Sequence, residues 1–408
     1  MRCASAAVVL ALGLCAAGSA RASWDIFEVG KTSLRVGGYV RALSGVQLAP
    51  RDGERAGGDP GTLGIASSIA RVEWKLRVGD HVTFELHNRL FFDLRSEAGA
   101  AGGLGAGVTV EPSRSLDLST DLVRTDTFLL EHDIDRAALG LYLGPVDVTL
   151  GRQAISWGNS LIFATSDVWA AFSPFDLDTS QKRGIDAVRA ITSPSERVEL
   201  DMVLADRGSL ADLSGGLRTT LYLPRADLYL ALGKVFDELS VMAGVSAAVG
   251  SFKLRAEGHL PYSLDDDALA LPRVTVGSDW FGPDVTLTLE AHYNGAGTDQ
   301  PDRYIAHALG SGPLRRGETY LLGRWYLGGA AAWQATPLVN LSVSVIANLQ
   351  DPSALIVTRA SWDVAQDISL AIGAFNSIGA RPPSPPLVLR SELGAAGHLV
   401  YLELAAFF

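Results

Sequence analysis

Residues 70–95 read ARVEWKLRVGDHVTFELHNRLFFDLR, and both halves of this stretch alternate strictly. Ala70, Val72, Trp74, Leu76 and Val78 interleave with Arg71, Glu73, Lys75 and Arg77. Beyond Gly79-Asp80, Val82, Phe84, Leu86, Leu90, Phe92 and Leu94 stand against Thr83, Glu85, His87, Arg89, Asp93 and Arg95. Period two with a Gly-Asp break predicts a β-hairpin with one apolar and one charged face. Two architectures accept such a hairpin. A soluble sandwich turns its oil inward, and a membrane barrel turns it outward.

The first residues begin to choose between them. Arg2 supplies a positive charge, Ala6 to Leu14 is an uncharged apolar run, and Ala20-Arg21-Ala22 has the small-x-small pattern of a cleavage site. A signal peptide over 1–22, cut near Ala22 after export through the Sec pathway, is expected. Leu14 before Cys15 does not fit a lipoprotein signal. Both cysteines, Cys3 and Cys15, fall inside the segment to be removed, so no disulfide or thiolate metal site is expected in the mature chain. Removing Arg2 and Arg21 makes the charge more negative than the −11 of the whole chain. That charge argues against nucleic acid as a partner. No later run approaches the ~20 apolar residues of a spanning helix, so a membrane form must be a barrel.

The opening pattern recurs to the end. Val198-Leu200-Met202-Leu204, Phe252-Leu254-Ala256, Val285-Leu287-Leu289-Ala291-Tyr293 and Val339-Leu341-Val343-Val345-Ala347 each alternate with polar or small residues. Short breaks at 79–80, 144–145, 193–196, 224–226, 250–251, 282–284, 336–338 and 365–367 alternate with mostly longer connections. The longer ones fall at 48–63, 96–126, 157–183, 207–216, 261–272, 295–317 and 379–390, while 236–238 and 351–353 are also short. Tight turns at one end and larger loops at the other are expected of an up-and-down membrane barrel, and a Greek-key sandwich has no reason for them. Threading the chain through these breaks predicts about 18 antiparallel strands, an even count that returns both termini to the periplasmic side. The fold class is all-β, a single transmembrane barrel over 23–408.

The last strand reads GHLVYLELAAFF, with Val400, Leu402, Leu404, Ala406 and the terminal Phe408 on one face. This ending resembles the signature that barrel assembly machinery reads, so Phe408 is the expected assembly signal. Trp280, Trp333 and Trp362 each lie near a short turn, where an interfacial aromatic girdle is expected. The apolar face should therefore meet outer-membrane lipid and the charged face a wet lumen. Expected lining residues are Arg71, Glu73, Lys75, Arg77, Glu85, His87, Arg89, Asp93, Arg95, Arg255, Glu257, Glu290, His292 and Arg324. Such interleaved charges are wall salt bridges where they lie deep, and tune selectivity near a constriction.

Alternation fails at Gly151-Arg152. Residues 157–183 are too aromatic for a solvent loop and too irregular for a strand. A bore of this size leaves room for the segment to fold inward and narrow a water channel. Its expected constriction residues are Arg152, Gln153, Trp157, Asp167, Trp169, Phe172, Phe175, Asp176, Asp178, Arg183, Asp186 and Arg189, with Lys182 also facing the pore.

The wording of 151–189 carries a resemblance. GRQ-x-ISWG, then SDVW…FSPFDLD and RGIDAVR, look like a motif shared by porin-like Gram-negative outer-membrane barrels related to alginate-export-type channels. The resemblance implies an 18-stranded monomeric channel; a trimer is the other assembly kept open. A polyuronate exporter has a strongly basic lumen, whereas the lining here is mixed.

Enzymatic signatures are absent from the sequence. The histidines show no H-x-S and no H-E-x-x-H pattern, there is no G-x-S-x-G elbow, and no cofactor or metal is expected. His87 and His292 read as pH-sensitive lining residues. Asp265-Asp266-Asp267 lacks the spacing of a dedicated calcium loop. About ten residues ahead of the first strand are too few for a plug domain. The expectation is a passive channel for small polar solutes, with a barrel lipid hydrolase as the rival and a non-conducting scaffold third.

Overall fold

The computed structural model describes residues 23–48, 62–96, 113–163, 165–173, 181–381 and 389–408. The expected signal segment and Phe175, Asp176 and Asp178 lie outside the described residues. Eighteen antiparallel strands close into a barrel, from Thr32–Leu48 to His398–Phe407. Each pairs with its neighbours in the chain, and the last pairs with the first through Val40↔Ala406 and Ser44↔Leu402. Closure gives every strand two partners, which the hydrocarbon interior demands because no water is there to satisfy an open edge.

Eight turns of two or three residues join strands at one end, among them 79–81, 224–225 and 366–367. The connections at the other end include 154–184, 295–324 and 379–397, with 236–237 and 349–352 short. Strand number, parity and the alternation of connections agree with the sequence reading.

The molecule is oily outside and polar inside. Leu402 is 62% exposed and Leu289 57%, while Arg71, Arg273 and Glu290 on the opposite face are buried. Near the short turns, Trp333 lies opposite Val285 and Trp362 opposite Val339, and both rings are exposed. A charge on the belt should cost far more than one in the lumen. Leu289→Arg is expected to destabilise the barrel by about 2–4 kcal/mol if that position sits at mid-bilayer. Ser342→Arg, on the inward face opposite Ala332, should cost little. Equilibrium unfolding in lipid vesicles compares the two.

The residues ahead of the first barrel strand are more than a spacer. Trp24–Val29 forms a short strand on the edge of Thr32–Val36, directly below the point where the C-terminal strand ends. Gly38 N–H donates to the Phe408 carbonyl at 2.7 Å, Phe408 N–H returns a bond to Gly38 at 3.0 Å, and the Trp24 ring lies 5.8 Å from that of Phe408. The two chain ends thus share one edge of strand Thr32–Leu48, each covering the part of the ladder the other leaves open.

Candidate functional site: an inward-folded segment

Strand Val146–Gln153 pairs with residues 137–142 of Phe128–Tyr142 and then leaves the wall. The upper part of that neighbour pairs instead with Ser119–Arg124, a hairpin from the preceding connection. Released at Ala154, the chain turns into the barrel. Ile155, Trp157, Val168 and Trp169 pack on the inward-facing Ile185, Ala187, Val203, Ala205, Ala231 and Met242. The two indoles meet edge-on at 4.9 Å. Glycines in the wall admit the segment. A Cβ on Gly216 would lie 3.0 Å from the Trp157 ring, and one on Gly328 would lie 2.8 Å from Phe163.

Two wall carboxylates hold the segment by its backbone. Glu290 accepts N–H bonds from Leu161 at 2.8 Å, Ile162 at 3.0 Å and Phe163 at 3.1 Å. Glu257 accepts from Asn159 at 2.7 Å, Thr165 at 3.1 Å and Ser166 at 3.4 Å, and from the Tyr229 hydroxyl at 3.0 Å. A carboxylate suits this task because it only accepts, and its charge strengthens each bond. Beneath them Arg255 pairs with Asp279, lies 3.5 Å from Glu290 and donates to the Asn159 carbonyl at 3.1 Å. The Trp157 indole N–H donates to Asp201 at 2.9 Å, and Arg189 pairs with the same carboxylate at 2.8 Å. His292 stacks under Phe163 at 4.9 Å and bonds Thr275 at 2.8 Å.

The segment also closes on itself. The Lys182 ammonium binds the Asp167 carboxylate, the Ile155 carbonyl at 2.6 Å and the Ser156 hydroxyl at 2.8 Å. Burial pulls Lys182 below the ordinary lysine range and pushes Asp167 up, and the attraction within the pair opposes both shifts.

The expected site residues fall into three places. Trp157, Asp167 and Trp169 belong to the segment, and Gln153 supports its root by donating to the Ala187 carbonyl at 3.2 Å. Phe172 is exposed, and burial lowers Arg183, which lies near Arg89, to about 10. Asp167 and Lys182 bind each other, where the sequence reading had them facing the pore. Arg152 and Asp186 pair at 2.8 Å in the wall, where Arg152 also donates to the Ile134 carbonyl at 2.8 Å, and both reach the chain at 113–118. Arg152 donates to the Leu116 carbonyl, and Leu116 N–H donates to Asp186 at 3.1 Å.

Among the expected lining residues, Arg71 pairs with Glu73 at 2.8 Å and Asp135 at 2.9 Å, and His87 lies 3.1 Å from Arg71. Lys75 pairs with Glu85 at 2.5 Å, Arg89 with Glu131 at 3.4 Å and Arg95 with Asp93 at 2.8 Å; Arg77 is exposed. Glu257, Glu290 and His292 lie beneath the segment instead of facing open water. Arg324 sits outside the strand wall, paired with Asp299 at 3.5 Å in the connection 295–324. Tyr229, missed in the sequence reading, stands on the inward face opposite Thr220 and Gly244.

Toward the short turns the inward face is wet. Ala332, Gln334, Asn340 and Ser342 alternate inward with Glu290 through the ladder, and all four are exposed. The barrel is thus packed around the segment and hydrated below it.

No family model and no curated protein matches this chain. Solved structures do. OccAB1 of Acinetobacter baumannii matches with a TM-score of 0.54 at 10% identity, over 96% of this chain and 99% of that one. A BenF-like porin from Pseudomonas fluorescens matches at 0.53 and 11% identity, over 92% and 98%. OccD3 of Pseudomonas aeruginosa matches at 0.52 and 10% identity, over 94% and 92%. The fold is that of outer-membrane porins. At these identities the likeness carries the architecture, and the side chains of 151–189 must speak for themselves.

Proposed function

We propose that this porin-like barrel is a passive outer-membrane channel for small polar or charged solutes, constricted by residues 154–173. The observation that carries the reading is the segment pinned inside the barrel on Glu257 and Glu290, above inward side chains that are solvent-exposed. The remaining expected constriction and lining residues among those described take the role of walls around that narrowing, their charges held mostly in pairs. A paired lining lets a polar solute pass without presenting one strong field, which argues against a polyanion such as a polyuronate. The likeness of 151–189 to alginate-export-type channels therefore supports common ancestry more than common cargo.

The same reading has the chain exported with 1–22 removed, inserted by barrel assembly machinery that reads Phe408, and working as a monomer or trimer without enzymatic activity. Deleting 160–180 tests it in planar bilayers. The deletion should raise single-channel conductance severalfold; unchanged conductance would remove the constriction. Lipid turnover by the purified barrel would replace a channel with a hydrolase.

A further inference from the structure

At the end of the barrel that carries the longer connections, the turn 236–237, the stretch 264–272 and the connection 295–324 enclose a cavity of about 220 Å³. One side of it is wall. Glu238 begins strand Glu238–Val249, shares the inward face with Met242, and stands opposite Ser263 of strand Phe252–Ser263. The short helix Gly312–Arg315 and the following Arg316 form the other side. Pro261, Leu271 and Pro313 give the cavity apolar surfaces between its charged groups. Asp266 reaches it from the acidic run 265–267, whose spacing does not suit a calcium loop.

Acids outnumber bases around this cavity. Arg316 binds Asp237 at 2.5 Å, Glu318 at 2.7 Å and one oxygen of Glu238 at 3.3 Å, which commits its whole guanidinium. Arg273 lies 3.3 Å from the same Glu318. Asp266 accepts only the Ser263 hydroxyl, at 3.0 Å, on one oxygen, and is exposed. Only 7% of Glu238 is exposed, and its second carboxylate oxygen is buried without a hydrogen bond. An ionised carboxylate accepts through both oxygens and donates through neither, so the partner missing here is a donor. The excess of acid over base calls for a positive one. Among the described residues no three acidic or histidine side chains converge as a metal site requires, so that cation is one that hydrogen-bonds.

We propose that this cavity captures a primary ammonium or guanidinium group on a short aliphatic stem, with Glu238 and Asp266 as its acceptors. The N–H donors of the ligand complete the open Glu238 oxygen, and its stem lies against Pro261, Leu271 and Pro313. Arg316 does not bar the approach, because three carboxylates already neutralise it. The site makes the outer mouth prefer cationic solutes to neutral or anionic ones of the same size. That a captured solute goes on into the bore rests on the channel reading, whereas the capture itself does not.

The whole protein, shown by unheated gel mobility to be folded in detergent, is titrated calorimetrically at about pH 8, where free carboxylates are ionised. The probes are n-butylammonium and n-butylguanidinium, with butyramide and butyrate as neutral and anionic controls. Both cations should bind saturably, and neither control should. Glu238→Gln, which keeps an oxygen for Arg316, should weaken the binding by about tenfold or more, as expected for one lost charge-assisted hydrogen bond. Asp266→Asn should weaken it less, and Asp363→Asn, near a short turn at the other end, should leave it unchanged. In planar bilayers the cations should add brief blocks to the current, and Glu238→Gln should remove them. Saturable binding by a protein that passes no current would retain the cavity and overturn the channel. Steady current without saturable binding, binding that Glu238→Gln leaves intact, or equal binding of butyrate would overturn the cation site. Displacement of the probes by a far lower concentration of Ca²⁺ would assign the cavity to a metal ion and overturn it as well.

Discussion

Replacing Glu257 and Glu290 together by alanine should raise single-channel conductance severalfold and make the current noisy. Six backbone N–H donors of 159–166 end on these two carboxylates. Each hydrogen bond to a charged group contributes about 1.5–3 kcal/mol net, and a buried donor left unmade costs more than its bond contributed. The turn 158–166 should therefore leave the wall, while Trp157 and Trp169 keep its two ends seated. Glu→Gln at both sites should fall between, since each amide still offers one acceptor oxygen but no charge. Recordings in planar bilayers, with exclusion of neutral polymers as a measure of width, check the order wild type, double Gln, double Ala. A double-alanine channel with wild-type conductance would show that the aromatic ends alone hold the segment.

Arg255→Leu should be the most damaging single change in the lumen. Arg255 is buried with Asp279 and Glu290, and it is the cation that both carboxylates share in this layer. Removing one member of a buried ion cluster typically costs about 3–5 kcal/mol, because the surviving charges remain dehydrated and uncompensated. Part of that cost can be recovered by neutralising what is left. Arg255→Leu combined with Asp279→Asn should be more stable than Arg255→Leu alone. Thermal or denaturant unfolding of the three proteins in detergent tests the rescue. If the second substitution adds to the damage, the arginine supports the barrel by packing and not by charge.

The wall of the barrel is legible in the sequence because a strand's period is two and its turns carry Gly, Pro and Asp. Val285 to Tyr293 and Val339 to Ala347 announce their lipid face without any knowledge of their neighbours. The same reasoning cannot say what covers the inner face. Glu257, Glu290 and His292 alternate as any lumen residue does, and only the fold shows the segment lying on them. Arg152 and Asp186 stand beside the segment in the sequence, and only the fold shows that they pair with each other and also meet Ile134 and Leu116. Lys182 and Asp167 are fifteen residues apart in an irregular stretch, where spacing gives no hint of contact. The strand at Trp24–Val29 was hidden because it exposes both faces and so has no alternation to read. Leu393, fully buried among inward-facing wall residues, was missed because SELGAAG has neither period nor length to mark it.

Steady ion current through the purified protein in a planar bilayer tests the central claim most directly. A hydrated bore narrowed by a fixed segment predicts discrete, ohmic steps that persist for as long as the protein remains inserted. Barrels shown by their unheated gel mobility to be folded, yet giving no steps at any protein concentration, would contradict it.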